Sequence, residues 1–360
     1  MNKFKKRICL LYLPLLIISI ISLFNLYNLN YHNLFIKQII WYVITILIIL
    51  LFQKINTEKI FKLSWFIYIL NIILLILVLF FGKETNGARA WFKMGIFSFQ
   101  PSEFMKLSLS LLLANVGSKA NLKTYKDEFV LICKSFLLMI IPSILVFLEP
   151  DTGAIIFYII ITLTILFISL KHKRWFLILG IIIALLIGLF IYLYKFKRDL
   201  LINTIGTSIF YRIDRIINFK KNIGYQLTNA LVVIGSAKLI NFHKHNILYI
   251  PEASTDFAFA YTIGNLGLLY GFIISIAYLL IMYYLIDCYY NLKNQKIKLF
   301  LISFINLFIF NVIYNISMNL GLLPIMGIPL PFLSYGGSTI LIYALYLGIL
   351  IKEYKTRINI

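Results

Sequence analysis

A chain of 360 residues that is 61% hydrophobic and only 13% charged is too apolar for a soluble domain of its size, and it reads as an integral membrane protein. The formal net charge of +21 does not point to nucleic acid, because the basic residues fall in short clusters between apolar runs and form no continuous basic face. Three scattered cysteines (Cys9, Cys133, Cys288) without CxxC spacing imply neither a disulfide framework nor a metal site. The basic start, Met-Asn-Lys-Phe-Lys-Lys-Arg, resembles the flank of a signal peptide. The run behind it is long enough to span and lacks a small-residue cleavage site, so a retained first helix is expected.

Apolar stretches of spanning length fall at about 8–24, 35–52, 63–81, 102–117, 131–148, 152–170, 174–195, 257–286, 298–321 and 335–351. The expected fold is all-α: about ten transmembrane helices in a single domain over residues 1–360, with one long extracytoplasmic loop at about 196–256. An even number of spans puts both termini on one side. The clusters Lys3/Lys5/Lys6/Arg7, Lys54/Lys59/Lys62, Lys119/Lys123/Lys126, Lys171/Lys173/Arg174, Lys293/Lys296/Lys298 and Lys352/Lys355/Arg357 share that side, which makes it the cytoplasm. The cations of 196–256 are no counterevidence, since long loops translocate largely regardless of charge.

Three stretches on the opposite side carry polar chemistry. Phe99-Gln-Pro-Ser-Glu-Phe-Met-Lys106 begins as a helix start, with Pro101 in the first turn and Ser102 as a potential cap. Glu103 and Lys106, spaced i, i+3 at the end of a span, form either a structural ion pair or the lining of a polar cavity. Leu148-Glu-Pro-Asp-Thr-Gly153 suits a tight turn in which Asp151 or Thr152 caps the next helix. In 196–256, Tyr211-Arg-Ile-Asp-Arg215, Lys220 and Lys221 could solvate a loop, touch anionic lipid head groups, or clamp a diphosphate with arginine forks. His243 and His245 lack a third ligand at a familiar spacing, so no zinc site is expected.

Two further stretches are more pointed. In Ile250-Pro-Glu-Ala-Ser-Thr-Asp-Phe257, Glu252 and Asp256 stand just before a long apolar run. Asp256 and Thr255 could cap the helix that follows; a carboxylate between water and hydrocarbon could equally have its pKa raised toward the range of a general base. Asn315 to Ser338 contains Pro324, Gly327, Pro329, Pro331, Gly336 and Gly337. So many helix breakers at a membrane boundary predict a re-entrant or cavity-lining loop, because irregular backbone at that depth is tolerated only against protein or a polar cavity.

Gly-Ile-Pro-Leu-Pro-Phe-Leu-Ser-Tyr-Gly-Gly-Ser (327–338), Phe-Gln-Pro-Ser-Glu-Phe-Met-Lys (99–106), Glu-Pro-Asp-Thr-Gly (149–153), Gly-Tyr-Gln (224–226) and Pro-Glu-Ala-Ser-Thr-Asp-Phe (251–257) together resemble the SEDS family (shape, elongation, division and sporulation), which includes RodA and FtsW. The resemblance runs through nearly the whole chain in the right order. It implies a bacterial peptidoglycan glycosyltransferase that polymerises lipid II at the outer face of the cytoplasmic membrane with a class B penicillin-binding protein. Asp256 matches the family's essential external aspartate, Glu103 and Lys106 its charged pair, and Trp91 the aromatic of its first external motif. Ser334 falls within the 327–338 motif and is, with Glu252, a candidate substrate contact. Three departures stand out: Ala90 replaces the usual arginine before Trp91, the glycine-rich pattern after Gly235-Ser236 is replaced by 237–244, and the usual Glu-Glu is Gly264-Asn265.

The implied reaction sends the 4-hydroxyl of one N-acetylglucosamine onto C1 of the N-acetylmuramic acid of the growing chain, expelling undecaprenyl diphosphate. Asp256 is the expected general base, a role worth roughly a hundred- to ten-thousand-fold in rate. Charge on the leaving diphosphate would be taken up by Lys106, Arg212, Arg215 or a divalent cation such as Mg2+. A flippase for a lipid-linked precursor and a non-catalytic scaffold of a cell-wall complex are the competing functions.

Overall fold

The computed structural model describes residues 3–85, 88–95, 97–219, 224–241 and 248–358. Helices α1 (Lys3–Asn28), α2 (His32–Phe52), the short α3 (Thr57–Lys62) and α4 (Ser64–Phe81) lead into three short strands, β1 (Lys83–Thr85), β2 (Ala88–Met94) and β3 (Phe97–Phe99). Then come α5 (Pro101–Lys119), α6 (Tyr125–Leu148), α7 (Thr152–Ser169), α8 (Arg174–Phe196), α9 (Arg198–Ile205), α10 (Thr207–Ile217), α11 (Tyr225–Gly235), α12 (Ala258–Leu266), α13 (Leu268–Asn291), α14 (Gln295–Asn319) and α15 (Gly337–Ile358). Eight of these, α1, α2, α4, α6, α7, α8, α13 and α14, are long and apolar enough to cross a membrane. With α5 and α15, which are 19 and 22 residues long, they account for the ten expected spans. The chain is a polytopic, essentially all-α membrane protein.

Position in the bundle explains composition. Helix α8 buries none of its residues and is apolar all round, as a helix bathed in lipid should be. Helix α5 is more polar because protein surrounds it: Ser102, Glu103, Lys106, Ser108, Ser110 and Asn115 are all buried. In a bilayer no hydrophobic force drives helices together, so close packing and interhelical hydrogen bonds hold the bundle. Asn71 Nδ2 donates to Ser108 Oγ at 2.6 Å, Asn115 Nδ2 to Ser64 Oγ at 3.1 Å, and Asn311 Nδ2 to the Tyr343 hydroxyl at 2.7 Å. Bonds of this kind contribute about 0.6 kcal/mol each.

Three details differ from expectation. The apolar run 257–286 is two helices, α12 and α13, because Gly267 adopts φ +105° and breaks the chain between them. A left-handed residue without a side chain does this at little steric cost. The segment expected as one long loop contains α9, α10 and α11, since its apolar residues recur at helical spacing and have surfaces to cover. The stretch before Phe99 forms a small antiparallel sheet in the order β1-β2-β3, in which Lys83 pairs with Trp91 and Phe92 with Phe99.

Candidate active site

The turn 251–257 carries Asp256 and enters α12. Glu252 sits in the left-handed region at φ +56° and folds the chain back, so that Thr255 N and Phe257 N both donate to its carbonyl at 3.1 Å. Neither Asp256 nor Thr255 caps α12: the N-cap is Phe257, and Thr255 Oγ1 donates instead to Glu252 Oε2 at 2.7 Å. The Asp256 carboxyl is therefore not used up by the helix start. It is half-buried, and burial, reinforced by the charge of Glu252, pushes it up to about 7.

Two asparagines on α14 fix this turn from below. Asn315 Nδ2 donates to the Asp256 carbonyl at 3.0 Å and to the Ile328 carbonyl at 2.7 Å; Asn319 Nδ2 donates to the same Asp256 carbonyl at 3.0 Å. Asn319 Oδ1 accepts from Ala260 N at 3.0 Å. From the other side, Ser334 Oγ donates to the Thr255 carbonyl at 2.6 Å and accepts from Leu330 N, while Tyr335 N donates to the Ser254 carbonyl at 2.7 Å. Ser334 is 3% exposed, and its hydroxyl is bonded to the backbone of both the turn and the loop. The irregular stretch 322–336 does lie against the Asp256 turn, as a loop lining a polar site: a Cβ placed on Gly327 would stand 3.9 Å from Asp256 Oδ2.

This loop also meets α7, whose N-terminus is bonded to the start of α5. Asp151 caps α7 by accepting from Ala154 N, and its other oxygen accepts from Gln100 Nε2 at 2.9 Å and Ser102 Oγ at 2.8 Å. Gly153 passes so close to the loop that a Cβ there would stand 2.9 Å from the Met326 carbonyl. Ser338, at the start of α15, accepts from Gln100 N at 3.1 Å and donates to the Ser98 carbonyl. The N-termini of α5, α7 and α15 are thereby bonded together next to the loop that touches Asp256.

The Glu103–Lys106 pair lies one turn into α5, with Lys106 Nζ 2.5 Å from Glu103 Oε1 and 4.2 Å from the centre of the Phe157 ring. Both side chains are enclosed, at 3% exposure for Lys106 and 10% for Glu103, and Glu103 Oε2 has no hydrogen-bond partner among the described residues. Glu149, which the sequence left as part of a turn, is fully buried at the end of α6, with both carboxyl oxygens unpartnered among the described residues. Burial first, and then the charge of Asp151, push it up to about 8, so it is neutral at pH 7.

The other expected residues are more dispersed. Trp91 is half-buried on β2. Arg89 is exposed and pairs with Glu84 at 3.6 Å, Ala90 is buried, and the cation opposite Trp91 in the sheet is Lys83. Arg212 and Arg215 lie on α10, but their side chains, like Lys220, Lys221, His243 and His245, fall outside the described residues. Among the described residues no group of three or more His, Cys, Asp or Glu is placed to hold a metal ion, so no chemical step is assigned to one.

A polytopic helical bundle that holds a half-buried aspartate against a proline- and glycine-broken loop defines a membrane protein with a polar site at one end. The family model described as "Cell cycle protein", that of FtsW, RodA and SpoVE, matches residues 4–357, and the chain belongs to that family. A relative from Nitrosomonas europaea named "Probable peptidoglycan glycosyltransferase FtsW" is 34% identical over 81% of this chain and 75% of its own. The crystal structure of the rod shape determining protein RodA of Thermus thermophilus superposes with a TM-score of 0.69 at 25% identity, over 96% of each chain. A chain from the structure titled "Structural coordination of polymerization and crosslinking by a peptidoglycan synthase complex" shares the fold, with a TM-score of 0.79 at 24% identity over 96% of this chain and 98% of that one.

Sequence reasoning missed Asn315 and Asn319. Two amides spaced i, i+4 at the end of an otherwise apolar span were the available signal, since such groups are costly in a membrane unless they bond to something specific. Asn315→Ala should separate the Asp256 turn from the 328 segment, strand the Ile328 carbonyl and leave the Asp256 carbonyl with Asn319 alone. The expected cost is about 1–3 kcal/mol of stability, read as a lower thermal midpoint.

Proposed function

We propose that this protein is a peptidoglycan glycosyltransferase that polymerises lipid II at the outer face of the bacterial cytoplasmic membrane, with Asp256 as the general base. Asp256 removes the proton from the 4-hydroxyl of the acceptor N-acetylglucosamine as that oxygen attacks C1 of the donor sugar. The bond to undecaprenyl diphosphate breaks, and the diphosphate leaves with the electron pair. One carboxylate suffices, because attack opposite the leaving group inverts the anomeric centre without a covalent intermediate.

The observation that carries this reading is the Asp256 carboxyl, without a hydrogen-bond partner among the described residues, in a turn held from two sides by α14 and the 322–336 loop. A base must be both available and fixed, and here every bond to the turn is made by its backbone carbonyls and neighbours. The joined N-termini of α5, α7 and α15 bring partial positive charge to the same end of the bundle, suited to a leaving diphosphate, and Lys106, paired with Glu103, lies deeper in α5. On this reading the Asp256 end faces out, both termini lie in the cytoplasm, and a class B penicillin-binding protein cross-links the product.

Purified protein given fluorescent lipid II tests the assignment against its competitors. Glycan polymer that requires Asp256 supports the enzyme. Translocation in vesicles without polymer would make the protein a flippase, and the absence of both would leave a scaffold. The pH dependence adds a second readout. A carboxyl at about 7 is protonated, and useless as a base, below that value. Polymerisation should therefore rise about tenfold per pH unit on the acid side and level off above about pH 7.

A further inference from the structure

At the far end of α5 from Gln100 and Ser102, about 28 Å along the helix axis, the bundle holds a cavity of about 480 Å3. Its wall comes from the end of α3, the start of α4, the last turn of α5 and the first half of α6. Three exposed lysines, Lys62, Lys119 and Lys134, line it together with Trp65 and an apolar side formed by Val130 and Leu131. The site described above uses none of these residues.

The three lysines outnumber the one carboxylate in the wall, Asp127, so the cavity is net positive. Neither Lys119 nor Lys134 has a carboxylate within 4 Å among the described residues. Glu58, the acidic neighbour of Lys62, is bonded to Lys296 at 3.0 Å. Asp127, the acidic residue in the wall, spends one oxygen on the backbone N–H groups of Lys123 and Thr124 as part of the α6 capping box. Lys134 extends over the Trp65 ring at 5.7 Å, the way a lysine on a spanning helix reaches toward the membrane interface beside an aromatic anchor. A volume of this size is within the range of small-molecule sites, and a basic pocket between helices with one greasy wall suits an amphipathic anion.

We propose that this cavity binds the phosphate head group of an anionic phospholipid, with the phosphate among Lys62, Lys119 and Lys134 and an acyl chain running along Val130 and Leu131. A soluble anion would satisfy the lysines but leave the apolar wall and Trp65 without a role. The lipid uses both halves of the cavity.

Native mass spectrometry of the full-length protein, released from nanodiscs of mixed phosphatidylglycerol and phosphatidylcholine, tests this. The wild type should retain phosphatidylglycerol over phosphatidylcholine. Lys119→Gln and Lys134→Gln should each weaken retention about fivefold, with the losses multiplying in the double variant. Lys119→Arg should retain the lipid, and Lys171→Gln with Lys293→Gln, two exposed lysines outside the cavity, should leave it unchanged. All the substituted side chains are exposed, so the variants should elute as the wild type does on gel filtration. Equal retention of the two lipids, or equal loss in the control pair, would overturn the proposal. Displacement by excess inorganic phosphate would assign the lysines to a soluble anion and overturn the lipid.

Discussion

Asp256→Asn is expected to reduce lipid II polymerisation by roughly a hundred- to ten-thousand-fold while leaving the fold intact. The two halves of this expectation have separate causes. Asparagine is isosteric but cannot accept a proton at neutral pH, so the acceptor hydroxyl stays a weak nucleophile. The turn itself is held by the carbonyls of Thr255 and Asp256, the amide of Tyr335 and the side chains of Ser334, Asn315 and Asn319, none of which the substitution touches. Removing a half-buried carboxyl that burial has pushed up to about 7 also removes an unfavourable charge above that pH. The thermal midpoint should therefore hold or rise slightly at pH 8. Polymer yield and thermal unfolding on one preparation check both, and a variant that loses activity together with its fold would not support a catalytic role.

The second large effect concerns the buried ion pair. Lys106→Met leaves Glu103 charged in the interior, with Oε2 already unpartnered and Oε1 losing its bond to Nζ, and should cost about 3–5 kcal/mol. Adding Glu103→Gln should recover most of that loss, because a neutral pair no longer carries an uncompensated charge. Activity should not follow stability. If Lys106 takes up charge on the leaving diphosphate, the double variant folds but polymerises poorly; a purely structural pair predicts that activity returns with the fold. Thermal midpoints and single-turnover polymerisation of the two single variants and the double separate these outcomes.

Much of this architecture is legible in the residues. Spanning length and apolarity mark eight of the ten expected spans, and proline and glycine mark the 322–336 loop, since these signals depend only on local chemistry and the thickness of a bilayer. Asp256 stands out because a carboxylate before an apolar run is costly. The break at Gly267 was hidden because a glycine inside an apolar stretch is equally at home in a continuous helix, and here the distant 238–241 segment comes in against it, with the Lys238 and Leu239 carbonyls accepting from Leu268 N and Leu269 N. The bonds of Ser334 were hidden for a related reason. A serine in a cavity-lining loop can face substrate or backbone, and only the tertiary placement of Thr255 decides between them. Glu149 carries no local sign of its isolation, because the turn motif 149–153 is equally compatible with an exposed glutamate, and its burial arises from the helices around it.

The account rests on the Asp256 carboxyl reaching the attacking hydroxyl. A structure of the Asp256→Asn protein trapped with lipid II and a lipid-linked glycan tests this most directly. The predicted result places the acceptor 4-hydroxyl within about 3.2 Å of the side-chain oxygen of residue 256, or one water away. Both lipid-linked sugars would then lie at the joined N-termini of α5, α7 and α15. Substrates seated at the opposite end of the bundle, or an acceptor hydroxyl facing a different ionisable group, would contradict it.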